Sequence, residues 1–238
     1  MTDLAALSRA NAKRWANASL IRNFSDVAKH LVSPAAKPRY QAVAAGTGVP
    51  WAAIAAIHER ECSQDWTGSL AQGDPWNRVS VHVPAGRGPF NSWEEAAIDA
   101  LRNCAPYAAR NKDWSIGGTL TVLEEYNGLG YASRGVPSPY VWSGTDQYRS
   151  GKYVRDGVYD PNAVDSQLGC AGLLMAMMAL DRSIVFDGTK PATAGPPSAS
   201  TPLAPGNAKL RPPSITNPAK GSIGDFIASI LSAISKRK

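Results

Sequence analysis

Cysteine and histidine are scarce in this chain. Its three cysteines, Cys62, Cys104 and Cys170, form no C-x-x-C pair, so neither a disulfide framework nor a zinc cluster is indicated. Its three histidines, His30, His58 and His82, are too scattered to define a metal site, and no cofactor is expected. A membrane-spanning run is also missing: the longest apolar stretch, Leu168 to Leu180, falls short of the ~20 residues a spanning helix needs. The start, Met1-Thr-Asp-Leu4, has no basic patch followed by an apolar stretch. No secretory signal is therefore expected, and synthesis in the cytoplasm follows. No internal repeat is present. What remains is an ordinary globular composition, 238 residues with 44% apolar content, enough for one full core plus an appendage. Disorder throughout and a fibrous repeat are both excluded.

Charge is unevenly placed. Residues 1–186 hold 18 basic and 17 acidic side chains, whereas 187–238 hold seven and two, so the excess belongs to the C-terminal segment. A nearly neutral body with a basic tail points to binding or catalysis in the body and attraction to an anionic surface in the tail. Nucleic-acid binding fits poorly, because the basic charge sits on a short tail and not on a patterned face.

The sharpest change of composition begins near Asp187. Residues 187–220 carry eight of the 18 prolines and no aromatic, and read as a flexible Pro-rich linker. Beyond it, Ile223, Phe226, Ile227, Ile230, Leu231 and Ile234 line one helical face that ends in Lys236-Arg237-Lys238. Residues 221–238 therefore read as an amphipathic, basic-ended helix. It is suited to an anionic membrane or lipopolysaccharide surface, or to docking on a partner protein or a second copy.

Residues 1–186 read as one domain of mostly helical signals. Helices are expected over about 11–31, over about 35–45 (closed by Gly46-Thr-Gly48), and from Pro50-Trp51 to about Glu61. Between Trp66 and Phe90 the pattern changes. Arg78-Val-Ser-Val-His-Val83 alternates with a period of two, as a short strand of a small hairpin does. Ser92 and Glu95 form a capping box opening a helix through Leu101. Further helices are expected over 113–127, stopped by Gly128, and over 162–180, apolar on most faces and therefore central. Residues 128–161 read as irregular. The fold class is α+β, mostly α, with one small and early β-hairpin.

The segment Trp51-Ala-Ala-Ile-Ala-Ala-Ile-His-Glu-Arg-Glu61 carries the chemistry. On a helix, Glu61 shares a face with Ile54, Ile57 and His58. A carboxyl at the end of an apolar stripe, beside loops that frame a cleft, has its pKa raised by desolvation, as a general acid requires. The plainer reading is a charged residue at the end of a surface helix. Asp74, in Gln72-Gly-Asp-Pro75, is the next carboxylate in place: either a second catalytic group across a cleft or a turn residue accepting backbone hydrogen bonds. Trp66, Trp76, Tyr126, Tyr140 and Trp142 lie in loop-like or Gly-rich stretches and are candidate sugar platforms, or else core anchors. His58 reads as a satisfied structural histidine. Glu124 and Glu125 read as a solvated face, with Glu124 a secondary acid candidate.

The run Ile57-His-Glu-Arg-Glu61, followed by Gln72-Gly-Asp-Pro75, Val83-Pro-Ala-Gly-Arg87 and Trp93-Glu-Glu-Ala-Ala-Ile-Asp-Ala-Leu101, resembles phage and prophage endolysins. These belong to the lysozyme-like superfamily, which includes lytic transglycosylases. The resemblance covers about residues 49–180. It implies a lysozyme-like domain that cleaves the β-1,4 bond between N-acetylmuramic acid and N-acetylglucosamine in peptidoglycan glycan strands. Glu61 matches the family's helix-terminal general acid, and Glu124-Glu-Tyr-Asn-Gly128 resembles a cleft-lining motif, pointing to Tyr126 and Asn127. Trp76 and Trp142 are the further expected substrate contacts, and Asp74 the candidate second catalytic carboxylate. The chain departs from the transglycosylase pattern at Cys62, where Ser follows the acid, and lacks the Gly-Leu-Met-Gln signature, with Gly68-Ser-Leu-Ala-Gln72 nearest to it. Action on the wall in the periplasm, after host lysis or virion delivery, is implied. The alternative is a non-catalytic peptidoglycan-binding or virion structural protein on the same fold.

Overall fold

The computed structural model describes residues 2–187. Among the described residues it is mostly helical, with nine α-helices and one two-stranded antiparallel sheet. α1 (Leu4–Asn17) opens at Asp3, whose side chain accepts from the Ala6 N–H. The single helix expected over 11–31 is two, because α2 (Ser25–Leu31) starts anew. Between them Ser19 and Ile21 donate their N–H groups to Asp146 and Gly144, more than 120 residues away in sequence. Asn23 then takes the Ser25 N–H and sets the next turn. Long-range pairing has claimed the backbone groups that a continuous helix needed.

α3 (Lys37–Thr47) ends where expected, with Gly48 left-handed at φ 76°. α4 (Trp51–Cys62) is enclosed at every position from Ala52 to His58. α5 (Trp93–Asn103) is capped as the sequence predicts on one side only. The Ser92 hydroxyl accepts from the Glu95 N–H, but the Glu95 carboxylate reaches back to Asn91. α6 (Ile116–Asn127) begins three residues later than expected, at the Ser115 cap. A Cβ at Gly117 would lie 2.5 Å from the Ser8 carbonyl, so the bare glycine lets α1 lie close on α6.

The region read as irregular holds two short helices, α7 (Gly130–Ser133) and α8 (Pro139–Trp142), and the sheet itself. β1 (Lys152–Arg155) pairs with β2 (Val158–Asp160), Tyr153 opposite Tyr159, with a bulge between Tyr153 and Arg155. The early hairpin is overturned. Residues 78–83 form no strand: the Val81 and His82 N–H groups go to the Asp74 carboxylate, and the Ser80 N–H goes to Arg87. Val79 and Val81 stand exposed, so their alternation has no core to face.

α9 (Cys170–Leu180) is shorter than the helix expected over 162–180, since residues before it turn inward to bury Asp165. α4 and α9 pack against each other in a single apolar cluster that also takes in Phe24, Tyr40, Trp93, Leu120, Leu123 and Trp142. Asp187 bridges to Ser115. The linker read over 187–220 and the helix read over 221–238 otherwise lie outside the described residues.

Candidate active site at the end of the central helix

α4 stops at Cys62 because Ser63 and Gln64 both take left-handed conformations, with φ 51° and 61°. Two consecutive non-glycine residues in that region mark local strain. His58, one turn before Glu61, secures the chain that follows. Its Nε2 lies 3.1 Å from the Asp65 carbonyl, which can only accept, so the proton sits on Nε2. Nδ1 then accepts from the Tyr40 hydroxyl at 2.9 Å. Burial drives the imidazole down to about 4, so the ring is neutral, as both bonds require. Trp66 and Trp93 close around it, with the Arg39 guanidinium 4.0 Å from the Trp66 ring. The structural role expected for His58 holds.

Glu61 is half-buried on the last turn of α4. Its Oε1 accepts the Tyr140 hydroxyl at 2.9 Å. Burial pushes the carboxyl up to about 7, against the opposing pull of the Tyr140 bond and of the Arg60 charge. Tyr126 lies near enough for the Glu61 charge to raise its phenol further, after burial has already raised it. Its hydroxyl donates to the Leu70 carbonyl at 3.0 Å, and Cys62 Sγ donates to the Ser69 carbonyl at 3.3 Å. Together these tie the 68–75 loop to the helix end.

The other expected residues divide. Asp74 is not left open to a cleft. Its carboxylate accepts from the Val81 N–H, the His82 N–H and His82 Nδ1, at 2.8, 2.9 and 2.6 Å. These bonds hold the carboxyl below its ordinary range despite burial. It acts as the turn residue of the 74–82 loop. Trp76 is half-buried, its indole N–H on the Trp66 carbonyl, and Asn127 is half-buried at the end of α6. Trp142 is corrected: its ring is fully enclosed in the core, and no face is open to stack on a sugar. Tyr126, 5% exposed, presents no open ring face either, although it belongs to the site. Glu124 is likewise no solvated surface residue, being 1% exposed in the α1–α6 interface.

Sequence reasoning placed Tyr140 among sugar platforms and passed over its hydroxyl, which is what meets Glu61. It passed over Arg60 and Asp165 altogether. The Arg60 guanidinium, enclosed beside Glu61, sits 4.7 Å from the Tyr140 ring and 3.0 Å from Asp165 Oδ2. An arginine in an Ala/Ile-rich helix that buries its neighbours was the available signal, since such a charge needs a buried partner.

Among the described residues no group of three or more His, Cys, Asp or Glu converges to hold a metal ion. A surface groove of about 670 Å3 opens between α1 and residues 132–136, lined by Leu7, Ala10, Arg14 and Val136 among others; Glu61 does not line it. No protein-family model, no curated protein and no solved structure matches the chain.

Proposed function

We propose that the chain is a peptidoglycan-cleaving glycosidase on a lysozyme-like fold, with Glu61 as its general acid. The bond cut is the β-1,4 link between N-acetylmuramic acid and N-acetylglucosamine. One arrangement carries the reading: a helix-terminal carboxyl raised by burial to about 7 and held by a tyrosine hydroxyl on one oxygen. Since Oε1 accepts the Tyr140 proton, the proton of the neutral acid belongs on Oε2. From there it passes to the glycosidic oxygen as the C1–O bond breaks. The carboxylate left behind is eased by Tyr140 and by the neighbouring Arg60 charge. Glu61 then takes back a proton from the hydroxyl that attacks C1.

The attacking hydroxyl belongs either to the muramic sugar itself, giving a 1,6-anhydro end, or to water. The binding of Asp74 within its own loop supports the first, single-carboxylate course. Purified cell-wall sacculi lose turbidity with the wild-type chain on this reading, and Glu61→Gln lowers the rate by at least about 100-fold. Near-wild-type loss with that variant overturns it. Mass spectrometry of the released muropeptides separates anhydro ends from reducing ends by one water.

A second reading, a non-catalytic wall-binding or virion protein, draws on the position of the α1 groove away from Glu61. Such a protein sediments with sacculi and releases no fragments. Action in the periplasm, and contact of 221–238 with an anionic membrane or lipopolysaccharide, are parts of the same proposal. Release of the tail from anionic vesicles by raised salt tests the second of these.

A further inference from the structure

Beneath Glu61 lies a chain of buried charge of which the glycosidase reading uses only the Arg60 end. Arg60 is 7% exposed, and Asp165 is 2% exposed. Arg60 donates from Nη2 to Asp165 Oδ2 at 3.0 Å and from Nη1 to the Leu168 carbonyl at 3.3 Å. Its Nε is buried with no hydrogen-bond partner among the described residues. Asp165 Oδ1 accepts from Lys152 on β1 at 2.7 Å. The Asp165 backbone is held as well, its N–H on the Tyr148 hydroxyl and its carbonyl on the Ser143 hydroxyl. Ser143 follows directly on α8, which carries Tyr140.

A buried ion pair is a poor way to gain stability, because desolvating both charges offsets their attraction; apolar side chains of similar volume do as well or better. An incompletely hydrogen-bonded guanidinium makes it poorer still. Position explains what stability does not. The cation lies against the ring of Tyr140, an attraction that orients the ring. The far end of that ring is the hydroxyl on Glu61 Oε1.

We propose that Asp165 is a positioning residue for Glu61: acting through Arg60 it holds the Tyr140 hydroxyl on Glu61 Oε1, compensates the Arg60 charge beside that carboxyl, and ties both to the β1–β2 hairpin through Lys152. This deepens the glycosidase reading and rests on it for its catalytic meaning. The groups facing Glu61 are Arg60 on its own helix, Tyr126 on α6, Tyr140 on α8 and Cys170 on α9. Those facing Asp165 are Arg60, Lys152, Tyr131 and Tyr148. Arg60 is the cation on both lists. Removing the Asp165 charge leaves it uncompensated next to Glu61, and an opposite charge at close range favours the ionised carboxyl.

The test is a carbon-13 NMR titration of the Glu61 carboxyl in the full chain, assigned with Glu61→Gln and read without substrate. Asp165→Asn lowers the Glu61 midpoint by about one pH unit, because the bare Arg60 charge outweighs a slackened Tyr140 bond, which by itself would raise it. Lys152→Met, which leaves the Asp165 charge undivided for Arg60, raises it by a smaller step. Lys152 is partly exposed, so this variant carries the test where Asp165→Asn fails to fold. The opposite signs are the signature, since a purely structural loss moves the midpoint in no such paired way. An unchanged Glu61 midpoint in Lys152→Met or in folded Asp165→Asn overturns the proposal. A chain that shows both shifts yet releases no wall fragments overturns the glycosidase reading alone. One that lyses walls with an indifferent midpoint overturns the role of Asp165 alone.

Discussion

Two carboxyls of this protein, Glu61 at the end of α4 and Glu124 in the middle of the α1–α6 interface, are both pushed up to about 7 by burial. Their surroundings differ. Glu61 is half-buried and meets a tyrosine hydroxyl that is itself backed by a buried cation. Glu124 is fully enclosed and meets an amide: Asn11 Nδ2 lies 3.4 Å from its Oε2 and 3.3 Å from the Thr121 hydroxyl. Glu124 Oε1 and Asn11 Oδ1 are both buried with no hydrogen-bond partner among the described residues. Ionisation would leave Glu124 Oε1 a charged, buried oxygen without a donor, so burial favours the neutral acid. A raised carboxyl is therefore a mark of burial and not of catalysis. What separates the two is the partial exposure of Glu61 and the buried Arg60 cation behind the hydroxyl that meets it.

The sharpest way to break this comparison is to neutralise each carboxyl in turn. Glu61→Gln abolishes release of wall fragments, whereas Glu124→Gln leaves the rate within a few-fold of wild type. Equal loss in the two variants removes the distinction. Stability tests the Glu124 carboxyl separately. Folded Glu124 holds its proton more tightly than the unfolded chain, whose ordinary value is 4.5. Its contribution is thus whole below about pH 4.5 and is lost as pH rises to about 7, a fall of about 3 kcal/mol. Glu124→Gln keeps a donor and an acceptor for Asn11 and removes that slope. Urea unfolding from pH 4 to 8 measures it, and parallel wild-type and variant profiles would contradict the neutral acid.

A smaller effect is expected at Asp74, the carboxylate pulled the other way. Asp74→Asn costs about 1–2 kcal/mol of stability by weakening its three bonds in the 74–82 loop. It leaves the rate of wall lysis within a few-fold; a loss as deep as that of Glu61→Gln would restore Asp74 as a second catalytic group. The smallest change is at Tyr140. Loss of the hydroxyl in Tyr140→Phe removes a bond that favours ionised Glu61, so the alkaline fall in activity moves upward by less than about one pH unit. A downward move would contradict the donor role.

Much of the fold was legible because its signals are local. The Gly48 stop, the Ser92 cap and the apolar run of α4 each depend on residues within one or two helical turns. Glu61 was legible for the same reason, as the carboxyl on the face of Ile54, Ile57 and His58. The misplaced hairpin shows the limit. Residues 78–83 alternate as a strand should, but Asp74 took their N–H groups and nothing apolar stood opposite. The true strands at 152–160 are too short and too rich in turn residues to stand out against their flanks.

By itself, then, the sequence determined a mostly helical body, the ends of its central helices and the carboxyl that closes one of them. Only the tertiary structure decided that this carboxyl meets Tyr140, that Arg60 pairs with Asp165, and that Trp142 is core and not platform. The reason is range. Helix hydrogen bonds link residues four apart, and periodicity reports them, whereas these partners stand 79 and 105 residues apart and are chosen by packing.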